Sequence, residues 1–281
     1  MVREALEYLA IRPDGVYLEM TAGLGGHTRA IAERITTGTV IACDRDPESL
    51  DQARRNTEDL APRIRFERAT FAEARQRLVA AGIERVDGLL ADLGVSRYQL
   101  TDPDRGFSLM ADGPLDMRMD RSGGTTAADL VNFVSEKQLA DLIFRLGEDR
   151  RSRQISRAIV RARPFHTTGQ LARVIEASVP RTGRLHPATQ TFMALRLAVN
   201  GELEQLDQLL EDGPRLVAPG GRMVVISFMS LEDRRVKLSF QEMARHGRAV
   251  ILTKHVVRPS EAEVESNPSS RSAKMRAIEV K

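Results

Sequence analysis

The segment Leu18-Glu19-Met20-Thr21-Ala22-Gly23-Leu24-Gly25-Gly26-His27-Thr28, with Val40-Ile41-Ala42-Cys43-Asp44 after it, constrains the fold of this chain more than any other part. An apolar run leads into a glycine-rich turn, a helix start, a second apolar run and an acid at its tip. That succession describes the first βαβ unit of a nucleotide-type site. Glycines let the backbone approach a ligand where a Cβ would block it or forbid positive φ. Free N–H groups at the helix start attract the ligand's negative end. Asp44 falls 21 positions after Gly23, where a carboxylate can accept hydrogen bonds from ribose hydroxyls.

A dinucleotide fingerprint asks for G-x-G-x-x-G, and Thr28 stands at its last position. S-adenosylmethionine (SAM) carries a ribose and an α-carboxylate but no pyrophosphate, and can use the same acid and the same helix start. The turn by itself leaves SAM, a dinucleotide and an unliganded strand-to-helix turn as alternatives.

The chain has 281 residues, enough for one large domain or two modest ones. Hydrophobic content of 42% and charged content of 29% are those of a soluble globular protein. No run approaches the roughly 18–20 apolar residues that cross a bilayer. Met1-Val2-Arg3-Glu4-Ala5-Leu6-Glu7 is a charged helical pattern rather than a signal peptide. A single cysteine, Cys43, rules out an intramolecular disulfide and a cysteine metal cluster. The expected setting is the reducing cytoplasm, without a membrane partner. No metal site is expected either: Asp112, Asp116 and Asp120 lie in a Gly-Pro-interrupted loop and read as caps and as ion-pair partners of Arg118.

Over the first hundred residues strand and helix patterns alternate. Strands are expected near 16–20, 39–44, 64–68 and 86–92, and helices over 28–35, 47–56 and 71–80. Such alternation predicts an α/β fold with a parallel sheet covered on both faces. Ligands bind such sheets beyond the carboxyl ends of the strands. Gly23 to His27, Asp44, Phe71 and Asp92 each follow a strand and converge on one crevice. From about Ser96 to Asn200 only helices and loops are expected, with helices over 135–146, 150–162 and 168–178. A helix over 203–218, stopped by Pro219-Gly220-Gly221, precedes a strand at 221–228. Short strands follow at 249–253 and 276–280, with a surface loop over 259–272. The economical organisation is a sheet domain, 1–100 and 201–281, with an all-helical domain, 101–200, inserted between its fourth and fifth strands.

Net charge is +3, but it is unevenly placed. Between Arg145 and Arg184 ten arginines stand against three acids, Glu148, Asp149 and Glu176. Arg150, Arg153, Arg157 and Arg161 recur at spacings of three and four, one stripe on a helix. Their planar forks suit phosphates and base edges, so the stripe reads as a polyanion-binding face, with a solvated charged face as the alternative. Three tyrosines and no tryptophan supply no extended stacking platform.

Several blocks occur in order over nearly the whole chain: Gly25-Gly26-His27-Thr28, Asp44-Arg45-Asp46-Pro47, Asp92-Leu93-Gly94-Val95-Ser96 with Gln99-Leu100, and Arg105-Gly106-Phe107-Ser108. Gly113-Pro114-Leu115-Asp116-Met117-Arg118-Met119-Asp120, His186-Pro187-Ala188-Thr189 with Ala194-Leu195-Arg196 and Val199-Asn200, Ser230-Leu231-Glu232-Asp233-Arg234 and Arg271-Ser272-Ala273-Lys274 continue the series. Together they resemble the ribosomal RNA small-subunit methyltransferase H (MraW) family, which uses SAM to methylate N4 of a cytidine in the decoding region of 16S rRNA. The resemblance implies a Rossmann-like class I methyltransferase sheet and a SAM site of Gly25, Gly26, His27, Asp44, Phe71, Asp92 and Gln99. Phe71 would flank the adenine and His27 the methionyl group. Small-subunit rRNA or the small ribosomal subunit is the implied partner, and a homodimer is a candidate assembly. Members usually carry His at the place of Met229 and a His-x-Pro-Val segment before the first helix, and the 248–258 connection is short here.

The cytosine N4 lone pair is delocalised into the ring, so transfer requires alignment and an acceptor for the amino protons. Unrelated amino methyltransferases often use an Asp/Ser/Asn-Pro-Pro-Tyr loop after the fourth strand, where this chain has Asp92-Leu93-Gly94-Val95. Asp92 is the first candidate, and Asn200 and Ser227 are further candidates to hold the amine. The rival readings are an impaired or non-catalytic RNA- or ribosome-binding relative and a SAM-dependent methyltransferase of another substrate. A nicotinamide oxidoreductase is disfavoured by Thr28.

Overall fold

The structure, a computed structural model, describes residues 1–181 and 185–281, and Arg184 lies outside the described residues. Chain contacts divide it into two units, Met1–Gly94 with Leu203–Lys281, and Val95–Glu202.

In the first unit the order is α1 (Val2–Leu9), β1 (Val16–Glu19), α2 (Gly26–Ala32), β2 (Thr39–Asp44), α3 (Pro47–Asn56), β3 (Ile64–Arg68), α4 (Ala74–Ala80) and β4 (Val86–Asp92). The second unit holds α5 (Arg97–Thr101), α6 (Ala127–Phe133), α7 (Glu136–Gly147), α8 (Ser152–Ala162), α9 (Thr168–Ser178) and α10 (Thr189–Asn200). The chain then continues through α11 (Glu202–Leu216), β5 (Val217–Ser227), α12 (Ser230–Arg245), β6 (Ala249–Ile251), α13 (Glu261–Ser266) and β7 (Lys274–Val280).

Among the described residues the strands form one seven-stranded sheet in the order β3-β2-β1-β4-β5-β7-β6. Strands β1 to β5 are parallel, and β7 runs antiparallel to both β5 and β6. Successive strand residues are buried on alternate faces of the sheet. Leu18, Ile41, Leu89, Met223 and Val225 pack on α4, α11 and α12, whereas Tyr17, Val40, Leu90, Val224 and Ile226 pack on α1 and α2. This two-sided burial accounts for the near-continuous apolar runs of the strands. The strand order reverses between β1 and β4, where the connections leave to opposite sides and a crevice opens.

Local chemistry sets the element ends near that crevice. Asp46 caps α3 by accepting the Glu48 N–H at 3.0 Å, with Pro47 opening the helix. Helix α4 begins at Ala74 rather than at 71, because Glu73 Oε2 accepts the Thr70 N–H and hydroxyl, both at 2.9 Å. Phe71 is thereby kept in a turn beyond β3.

Two expectations need correction. Pro219-Gly220-Gly221 does not separate helix from strand: α11 stops at Leu216 and β5 begins at Val217. Pairing with β4 jumps from Val86–Val217 to Gly88–Arg222, so the proline and glycines sit in an irregularity inside β5, with Gly220 at φ +80°. A residue without an N–H and one free to take positive φ suit positions left out of a ladder. The expected surface loop over 259–272 contains α13, capped by the Ser260 hydroxyl, which accepts the Glu263 N–H at 3.2 Å.

In the helical unit the starts of α5, α6, α7 and α9 each carry a reciprocal capping box: Ser96 with Gln99, Thr126 with Asp129, Ser135 with Gln138 and Thr167 with Gln170. Val131, Leu139, Ile143, Ile155, Ile159 and Leu195 are among its core residues. A boundary after residue 100 would leave Gln99 with the sheet. Instead the first unit ends at Gly94, and Val95 packs against the core of the helical unit.

Candidate active site

Between β1 and α2 the backbone turns through Gly23 and Gly25, both at positive φ. Gly25 caps the helix at φ +84°, a conformation costly for any residue with a Cβ. A Cβ there would also press on Thr57 Cγ2 at 3.1 Å and on the Ala53 Cα at 3.3 Å. Gly26 differs, since a Cβ built on it meets nothing within 4 Å. The space beside it is an open cradle that a larger side chain would fill.

Three acids surround this turn. Asp44, last in β2, accepts the Gly23 N–H through Oδ2 and the Asp46 N–H through Oδ1, both at 2.9 Å. Burial pushes its pKa up to about 6 against these hydrogen bonds, which favour the carboxylate. Asp92, last in β4, is fixed through its backbone, whose N–H donates to Thr21 Oγ1 at 2.7 Å. Its Oδ2 lies 3.7 Å from His27 Nδ1, too long for a hydrogen bond. Burial pushes Asp92 up to about 7 and His27 down to about 4. Near neutral pH the imidazole is therefore uncharged and the carboxyl is at the edge of ionisation. Asp92 Oδ1 and His27 Nε2 are buried with no hydrogen-bond partner. Buried polar groups are ordinarily satisfied, so this pair leaves two polar atoms with unused hydrogen-bonding capacity beside the glycine turn.

The third acid, Glu19, was not among the sequence candidates. It is 0% exposed, and its Oε2 accepts the Thr28 hydroxyl proton while Oε1 has no partner. Burial raises its pKa to about 8. One signal was available: an acid inside the apolar run of the first strand, which the sheet places between β2 and β4.

Phe71 is half-buried beyond β3, and its N–H donates to Gln205 Oε1 at 3.1 Å. Ser227 ends β5 beside the β4 terminus, and its hydroxyl donates to the Lys274 carbonyl at 3.4 Å. Met229 is buried at the start of α12, where Glu232 Oε2 accepts the N–H groups of Phe228 and Met229 at 3.2 and 3.1 Å.

The structure thus brings Gly25, Gly26, His27, Asp44, Phe71, Asp92 and Ser227 to the strand ends of the first unit. The other candidates belong to the helical unit. Gln99 Oε1 accepts the Ser96 N–H at 2.9 Å within the cap of α5. The Asn200 amide accepts the Met119 N–H at 2.8 Å and donates to the carbonyls of Met117 at 2.8 Å and Arg196 at 2.9 Å. Arg153, Arg157 and Arg161 form an exposed stripe along α8, and exposed Arg150 stands in the turn before it. Arg157 lies 3.6 Å from Glu136. Other arginines of this stretch serve the fold: Arg151 pairs with Asp149, and Arg163 donates to the carbonyls of Val131 and Val134, both at 2.6 Å. Asp116 grips Arg118 with two hydrogen bonds of 2.8 Å. Among the described residues no group of three His, Cys, Asp or Glu side chains is placed to hold a metal ion, and no helix is long and apolar enough to cross a membrane.

Comparison with known proteins covers the whole chain. The family model described as the MraW methylase family matches residues 1–281. The chain is 62% identical to the ribosomal RNA small subunit methyltransferase H of Solibacter usitatus, over 100% of this chain and 98% of that one. It is 49% identical to the protein of the same name from Koribacter versatilis, over 98% and 91%. Among solved structures, a Clostridium thermocellum protein described as an rRNA methylase superposes with a TM-score of 0.51 at 11% identity, covering 100% of this chain and 97% of that one. That likeness concerns the fold, which is the Rossmann-like class I methyltransferase type.

Proposed function

The chain belongs to the MraW methylase family, and we propose that it transfers a methyl group from SAM to the N4 amine of a cytidine in the decoding region of small-subunit (16S) rRNA. The observation that carries the cofactor half of this reading is the His27–Asp92 pair beside the open cradle of Gly26, with one buried polar atom on each side chain awaiting a partner. An amino-acid moiety bearing a carboxylate and an ammonium group fits that demand. Asp44, at the tip of β2, is available to ribose hydroxyls, and Phe71 to a face of the adenine.

SAM, when bound, supplies an electrophilic methyl group on a sulfonium. The protein's part is to align the amine and to localise its lone pair. Asp92 is the acceptor we assign, a carboxyl that ionises near pH 7 and is held by its own backbone hydrogen bond. Asn200 and Ser227 are assigned supporting roles, since both side chains are engaged with backbone groups. Gln99 is assigned to shaping the loop after β4 through its cap.

The target base must leave its stack to reach a crevice of this kind. Arg150, Arg153, Arg157 and Arg161 are proposed to hold flanking phosphates, and the small ribosomal subunit as substrate sets the protein in the cytoplasm. The test is methyl transfer from labelled SAM to undermethylated small subunits, with mass spectrometry of the digested RNA. Label in N4-methylcytidine is expected. Intact SAM binding without transfer, on subunits that an active relative methylates, would overturn the reading in favour of an impaired relative.

A further inference from the structure

A cleft of about 330 Å³ opens where α12, β6 and β7 meet, at the edge of the sheet farthest from β3. Phe240 and Ile251 form its apolar wall. Its polar lining is Lys237, Gln241, Thr253, Lys254 and Arg276, three cations and two neutral groups, and no carboxylate lines it. Arg276 is already matched, donating to both oxygens of Asp233 at 2.6 and 3.2 Å. Lys237 and Lys254 are exposed and have no acidic partner among the described residues. Thr253 is buried, and its Oγ accepts the Ala277 N–H at 3.0 Å, which leaves its own hydroxyl proton to donate.

Two unneutralised ammonium groups and a hydroxyl donor beside an apolar wall suit a phosphate that carries organic substituents. The lysines meet the charge, and the wall meets a ribose or base edge. We propose that this cleft binds a phosphodiester of the RNA substrate at a distance from the target base, a proposal that rests on the RNA reading above. Asp92 ends β4, and β5 and β7 intervene before β6. At about 4.8 Å per strand spacing the cleft's strand lies roughly 14 Å from that of Asp92, a span of a few nucleotides.

The test compares the wild-type protein with the double variants Lys237→Gln/Lys254→Gln and Lys237→Arg/Lys254→Arg. Affinity for small-subunit rRNA is measured over a salt series, with SAM affinity as the check on folding. For the glutamine pair the slope of log K against log salt is expected to flatten by about 1.4–1.8, two contacts at about 0.7–0.9 each. The arginine pair should keep the wild-type slope, and SAM affinity should stay the same in all three. A glutamine pair with the wild-type slope overturns the proposal while leaving the RNA reading intact. Wild-type protein that shows no salt-dependent binding of rRNA overturns both. Loss of AMP binding in the glutamine pair, with the rRNA slope unchanged, would assign the cleft to free nucleotides and overturn the RNA assignment.

Discussion

The carboxylate of Asp92 stands 3.7 Å from the imidazole of His27, linking the end of β4 to the first turn of α2. Each side chain keeps one buried polar atom without a partner. Ligand-free, both groups resist charge; together with a ligand they can each complete a hydrogen bond.

Replacing Asp92 therefore separates chemistry from folding. Asp92→Ala is expected to lower methyl transfer by about 10²–10⁴-fold, the usual range for a positioned acid–base group. In the wild type kcat/KM should rise as pH passes through about 7, where the carboxylate of the ligand-free protein forms. Asp92→Asn should lose that rise. Near-normal methylation of small subunits by the alanine variant would remove Asp92 from the mechanism.

The two neighbouring glycines should respond in opposite ways. Gly26→Ala adds a methyl group to open space in a helix and should leave Tm unchanged or slightly raised, while weakening SAM binding by about tenfold. Gly25→Ala must hold φ +84° and crowd Thr57, and should lose about 1–2 kcal/mol of stability. Thermal unfolding with calorimetric SAM titration distinguishes the two.

Stability of the ligand-free protein should depend on pH with a definite sign. Glu19, Asp44 and Asp92 have folded pKa values raised to about 8, 6 and 7 from 4.5, 3.8 and 3.8. The stability they contribute is complete below about pH 4 and is lost as pH rises through those values. His27, lowered to about 4 from 6.5, contributes stability that is complete above pH 6.5 and is lost as pH falls through 4. Only the acids act above pH 6.5, so Tm should fall between pH 6.5 and about 8.5. His27→Gln should make Tm climb more steeply than in the wild type as pH drops from 6.5 to 5. A wild-type Tm that rises from pH 6.5 to 8.5 would contradict the assigned protonation.

Because Glu19 is protonated at neutral pH, Glu19→Gln should stay within about 1 kcal/mol of the wild type. Thr28→Val removes the partner of a fully buried carboxyl and should cost about 1–3 kcal/mol. Denaturant unfolding at pH 7 measures both, and a Glu19→Gln loss as large as about 3 kcal/mol would contradict a protonated Glu19.

Arg153 and Arg157 are exposed on one face of α8, and among the described residues only Arg157 of the two has a nearby acid, Glu136. Replacing both with glutamine should weaken rRNA binding and flatten its salt dependence by about 1.4–1.8, with SAM affinity unchanged. Equal loss of both affinities would point to misfolding.

The sequence alone determined the parts of this protein that depend on a few neighbouring residues. The strands at 39–44, 64–68 and 86–92 and the helix at 47–56 match the structure residue for residue, because short strand-length runs in alternation with helical patterns, and the Asp46-Pro47 start, act locally. The same alternation marked Gly25, Asp44 and Asp92 as strand-end residues, since parallel strands all present their carboxyl ends to one side. Other features required the tertiary structure. Glu19 becomes a buried, protonated acid only because β2 and β4 flank its strand and exclude water. Asn200 is tied to Met117 and Met119, partners 83 and 81 positions away that no local pattern connects. The irregularity inside β5 exists only through its register with β4, and the lysine-lined cleft arises where β7 returns antiparallel to bring α12 and β6 together. Desolvation and register are set by whichever distant segment packs alongside, and that choice is made by the folded chain as a whole.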